Sequence, residues 1–369
     1  MKIRIPIALL ACAVLVSCGQ KSHSFGQSTI EFVRSILRDA ESPEYMILKS
    51  YDPSECDAAI YVIGDSLSCK MAAMHLVGRD RSDNIDGIAD TDGLPDFAGE
   101  RIAMLTDVAN GHYDSLVLNG QQALLREITV RNLLKTVDTL CYLSPFDMEG
   151  LGKKSKAKVV VLASPAVASN GLFDVDSLLV ASACELPVIC PVAILANEIV
   201  ESPAVTVGVI TSPTRVDAGI YDTLFGDLAS AGSKKMNCIS MAVDSQESAL
   251  SSFLDMYIAA GNVAPLDVLL VDDPACDVGK MNAELEKIRS VMNEEFQKYS
   301  EFLTPGFSIV EPLSVLGDEC YKLLRERNLF THRIALPATE SYLVISRTGE
   351  RNLDDEIMIE YNSRYLPKQ

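Results

Sequence analysis

The chain has 369 residues, of which 48% are hydrophobic and 22% charged; this excludes a disordered or fibrous protein and supplies a large core for two or three domains. A formal net charge of −19 argues against a nucleic-acid partner, because neutralising phosphates needs a basic face. With no Trp and 6% aromatic residues, stacking platforms for sugars are equally disfavoured.

Lys2 and Arg4 open the chain, and the apolar run Ile5–Val16 follows. The run suits a signal-peptide core and is too short to span a bilayer as a helix. It ends in Leu15-Val16-Ser17-Cys18-Gly19, which resembles the bacterial lipobox. That resemblance implies that residues 1–17 are a lipoprotein signal peptide and that Cys18 is lipidated. Residues 18–27, small and polar, then form a tether. Each buried acyl CH₂ contributes ~0.8 kcal/mol, so a multiply acylated Cys18 makes the membrane a stable partner. Gly19, with no acidic run behind it, points to the bacterial cell envelope, at the outer membrane facing the periplasm.

Beyond the tether, Ser28 or Thr29 is placed to cap a helix running to about Asp39, with Ile30, Val33, Ile36 and Leu37 on one face. Predicted strands are Ala59–Ile63, Ser115–Leu118, Lys158–Ala163, Pro187–Ile189, Val205–Ile210, Asn237–Ala242, Val268–Val271 and Ser308–Val310. Predicted helices are Cys69–Val77, Gly120–Leu134, Ala193–Val200, Gly219–Ala231, Ser245–Ala260, Val278–Tyr299 and Val315–Arg327. Continuous apolar strands separated by helices define an α/β protein with mostly parallel sheets, buried on both faces. Eight cysteines remain in this body, widely spaced and several in apolar runs, so they read as buried thiols. Four histidines, none at ligand spacing from a Cys, argue against a metal site. No cofactor motif stands out.

Ligands of open α/β sheets sit beyond the carboxyl ends of the strands. Those ends carry Asp65-Ser66, Ser164, Thr211-Ser212 with Thr214 and Arg215, and Asp272-Asp273. The competing explanation is that each Ser, Thr or Asp merely caps the next helix.

Two resemblances bear on these ends. Gly64-Asp65-Ser66-Leu67 resembles the first block of GDSL-type esterases and implies a Ser66 nucleophile, which needs a basic partner. The late His332, in Phe330-Thr331-His332, lacks the Asp three residues earlier that this family carries. The second resemblance is distributed over about 57–350 and is to glutamate racemase, in the aspartate/glutamate racemase superfamily. Asp65-Ser66 follows the first strand; Asp90-Thr91 precedes Pro95-Asp96; Leu186-Pro187-Val188-Ile189 and Val207-Gly208-Val209-Ile210 lead to Thr214, Arg215 and Tyr221. This resemblance implies two Rossmann-like lobes, with lobe 1 at 28–202 including an insertion at about 107–140. Lobe 2 is then 203–302, 303–350 returns to lobe 1, and 351–369 is a charged tail. It also implies a ligand pocket of Asp65, Ser66, Pro95, Asp96, Ser164, Thr211, Ser212, Thr214, Arg215 and Asp273.

The family's chemistry uses two cysteines, one taking and one returning the α-proton. Ser164 and Asp273 stand at those positions, and Cys276, three residues further, is expected off the strand end. An unassisted Ser is a poor base. The expected function is therefore binding of a small acidic or amino-acid-like ligand, or of a partner protein. An isomerase with substituted acid/base groups and a Ser66 hydrolase are the enzyme alternatives.

Overall fold

The computed structural model describes residues 29–83, 88–144, 147–244, 247–290, 297–348 and 356–362; Cys18, the signal segment, the tether and Ser28 lie outside them. Its twelve strands are β1 (Ala59–Gly64), β2 (Arg101–Asp107), β3 (Leu140–Ser144), β4 (Asp147–Lys153), β5 (Ala157–Leu162), β6 (Val188–Ile189), β7 (Thr206–Ile210), β8 (Asn237–Met241), β9 (Leu266–Val271), β10 (Leu303–Val310), β11 (Ala338–Val344) and β12 (Glu356–Asn362). They form an eight-stranded sheet in the order β4-β3-β12-β11-β2-β1-β5-β6 and a four-stranded sheet in the order β10-β9-β7-β8. The central strands β11, β2, β1, β5 and β6 are mutually parallel, as are all four of the smaller sheet. Every residue of β1 and β5 is buried, because helices cover both faces of a parallel sheet. The architecture is thus α/β with two parallel-sheet lobes, as the composition and the apolar runs predict.

Five differences from the sequence reading have physical causes. Ser115–Leu118, predicted as a strand, belongs to the helix Tyr113–Leu118, which buries Tyr113 and Val117 at a four-residue spacing. The region around 107–140, expected as an insertion, is built into the main core, where its helix Gln122–Val137 buries Leu125, Ile128, Leu133 and Leu134. The helix predicted over 278–299 ends at Arg289. β10 pairs with β9, so the crossing back to the larger lobe falls after Val310, not at 303. Finally, part of the predicted tail is β12, hydrogen-bonded antiparallel to β11 and parallel to β3.

The first helix runs from Glu31 to Arg38, and its N-cap residue Ile30 has no capping side chain of its own. The Ile30 N–H instead donates to Asp174 Oδ1 at 3.0 Å, a buried carboxylate also held by Arg126. The two lobes meet where helices Pro165–Asn170 and Pro191–Glu201 of the larger pack on Ile220–Ala231 of the smaller. That packing brings the carboxyl ends of β1, β2 and β5 to face those of β7, β9 and β10.

Candidate functional site

A cavity of about 130 Å³ lies between these facing strand ends. The larger lobe contributes Leu67, Ser68, Met71 and Ala72 from the helix after β1, Ala163 after β5, and Pro191 and Val192. The smaller lobe contributes Arg215, Asp272, Asp273, Pro274 and Cys276, and the crossover after β10 adds Glu311, Pro312 and Leu313.

Arg215 is the electrostatic centre. Ser212 caps its short helix by accepting from the Arg215 N–H. Its Nε donates to Asp114 Oδ2 of the opposite lobe at 2.9 Å. Its Nη1 donates to Asp272 Oδ2 at 2.8 Å and to the Asp272 carbonyl at 3.2 Å. Tyr221 Oη donates to the same Asp272 oxygen at 2.6 Å. Burial pushes the Asp272 and Asp114 carboxyls up from the usual carboxylate range, and the Arg215 guanidinium between them pulls both back.

The predicted residues fall into three groups. Arg215 and Asp273 line the cavity; one Asp273 oxygen accepts the Ala275 N–H at 2.9 Å. Ser164 and Thr211 are fully buried at the ends of β5 and β7, and neither hydroxyl has a hydrogen-bond partner among the described residues. Asp65 and Ser212 are helix caps: Asp65 accepts from the Leu67 and Ser68 N–H groups, and Thr214 is half-buried on the helix that Ser212 starts. Ser66 is exposed.

Pro95 and Asp96 are a correction. The helix Ser66–Gly78 carries the chain from the carboxyl end of β1 back to the amino end of β2, so both lie at the far edge of the sheet. Asp96 is buried there, paired with Arg79 and accepting the Arg81 and Ser82 N–H groups. The carboxyl end of β2 instead presents Asp107, whose Oδ2 accepts from Tyr113 Oη at 2.8 Å and from Asn132 Nδ2 at 2.9 Å.

Cys276 lies beyond the end of β9, as expected, and lines the cavity. Burial and the neighbouring Asp273 push its thiol up to about 11, so it is protonated at neutral pH. The eight cysteines of the body are thiols, not disulfides. Asp114, Asp272 and Glu311 were absent from the predicted pocket. Asp272 and Glu311 directly follow β9 and β10, a position that marks them, whereas nothing local in the sequence marks Asp114.

Ser66 and His332 lie at opposite ends of the sheet. Thr331, next to His332, is hydrogen-bonded to Asp57 and Glu100, which precede β1 and β2 at their amino ends. Ser66 follows the opposite end of β1, roughly 20 Å away at about 3.3 Å per residue. No hydrogen bond joins Ser66 to a histidine among the described residues.

No family model matches the sequence, and no curated protein does. Solved structures do. The chain is similar to glutamate racemase isoform RacE1 from Bacillus anthracis, at 14% identity and a TM-score of 0.44, over 78% of this chain and 89% of that one. It is similar to glutamate racemase from Thermus thermophilus in complex with beta-chloro-D-alanine, at 15% identity and a TM-score of 0.43, over 81% and 93%. It is also similar to arylmalonate decarboxylase, at 14% identity and a TM-score of 0.30, over 72% and 92%. The likeness is one of overall α/β arrangement, and the site is read from its own residues.

Proposed function

We propose that this is a lipid-anchored protein of the bacterial cell envelope whose interlobe cavity binds a small amino-acid-like ligand without racemising it. The observation that carries the reading is the setting of Ser164 and Asp273, the two positions that the sequence resemblance matches to the racemase cysteines. Ser164 is fully buried with no base against its hydroxyl among the described residues, and Asp273 stands at the other position with a protonated thiol, Cys276, beside it. One general acid or base usually contributes about 10²- to 10⁴-fold, so loss of both thiols leaves little proton transfer. A cavity of about 130 Å³, well below the roughly 300–1,000 Å³ of drug-sized sites, favours a small ligand over a protein partner.

The test is α-hydrogen exchange. Full-length protein incubated with L- or D-glutamate or aspartate in D₂O is expected to leave the α-hydrogen in place. The double substitution Ser164→Cys with Asp273→Cys is expected not to restore exchange, because the residues that follow, Pro165, Ala166 and Ala275, carry no side chain able to hold a substrate amine or carboxylate. Exchange by the unsubstituted protein that disappears in Asp273→Asn would make it an isomerase with substituted acid/base groups.

A further inference from the structure

Building on the cavity reading, we infer that the amino group is what the cavity recognises in its amino-acid-like ligand: a primary ammonium on a short apolar body is bound, and a dicarboxylate without an amine is not. Three carboxylates line the cavity, Asp272, Asp273 and Glu311, against one guanidinium, Arg215. That guanidinium is already committed. Capture of a ligand carboxylate by Arg uses two parallel N–H groups. Here Nε is held by Asp114 and Nη1 by Asp272, so each two-nitrogen fork has one arm engaged, and an incoming carboxylate is left with Nη2 while it meets the other acids.

Asp273 and Glu311 remain for a cation. One oxygen of Asp273 takes the Ala275 N–H, and no ion pair engages either side chain among the described residues. They follow the adjacent strands β9 and β10 and line the same cavity. The fields around Glu311 are mixed: burial and Asp277 push its carboxyl up, and Arg81 pulls it down. An ammonium group beside Glu311 would offset the cost of burying its carboxylate. The opposite wall is apolar, with Leu67, Met71, Val192 and Leu313. A hydrated metal ion gains nothing from that wall, whereas a short alkyl chain does.

Titration calorimetry and thermal shift on the full-length protein in detergent test this, with n-butylamine, 1,4-diaminobutane, glutarate and L-glutamate as probes at neutral pH. The amines are expected to bind and glutarate not to. Asp273→Asn and Glu311→Gln, isosteric changes checked for folding by circular dichroism, should each weaken amine binding about tenfold. Leu67→Trp, at a position that is largely exposed yet lines the cavity, should block it. Amine binding unchanged in the two acid variants overturns the inference. Glutarate binding without amine binding, lost in Leu67→Trp, overturns the charge assignment and leaves the cavity reading standing. Absence of binding by every probe overturns both.

Discussion

Asp176 lies on the helix Leu172–Ser182, where burial pushes its carboxyl up to about 7. A carboxyl raised in the folded state binds its proton more tightly there than in the unfolded chain. Between about pH 4 and 7 the folded protein therefore holds more protons, and its stability falls as pH rises through that window. Asp176→Asn removes the titrating group. Calorimetry should show Tm raised by a few °C at pH 7.5, on a scale of about 2–4 °C per kcal/mol, and much less at pH 4.5. Equal shifts at both values would show that the carboxyl is not the cause. Reactivity follows the same reasoning at Cys276: a thiol held up to about 11 should alkylate slowly at pH 7.5 and accelerate as pH is raised.

At the scale of elements, the bond between Arg215 and Asp114 ties the short helix after β7 to the helix Tyr113–Leu118 of the other lobe. Hydrogen bonds to charged groups contribute about 1.5–3 kcal/mol, so Asp114→Asn should lower stability by that order. Hydrogen exchange should rise in 113–118 in the same variant. Unchanged exchange there would mean that the lobes are held by the packing of Ile220–Ala231 on the larger lobe alone. The β12 strand makes a second prediction. It fills the position between β11 and β3, so a chain ending at Thr348 leaves one edge of β11 without its ladder. Faster exchange of β11 amides is expected, with β1 and β5 unaffected; retained protection of β11 would argue against the pairing.

At the scale of the whole molecule, attachment to the membrane is proposed to rest on one residue. Cys18→Ala should release the protein to the soluble fraction and abolish acyl labelling; a variant that stays with membranes through detergent-free washing would refute the lipobox reading. Among the described residues no helix is long and apolar enough to cross a membrane. The sequence by itself determined the α/β class and the strands β1, β5, β7 and β9, because strands buried on both faces must be apolar without interruption. It also determined the two caps, Asp65 and Ser212, since capping needs only neighbours in sequence. β2 and β11 escaped it. Their polar residues look solvent-facing until Glu340 is seen buried, accepting from Tyr342 Oη and Ser155 Oγ. Pro95 and Asp96 were drawn into the wrong place because a matching string of residues does not say at which end of the sheet it lies. Only the tertiary structure brought Asp114 to Arg215 across 101 positions of chain, and with it a guanidinium held at Nε and Nη1 beside an acidic cavity. Charge pairing depends on distance in space, and a sequence records only distance along the chain.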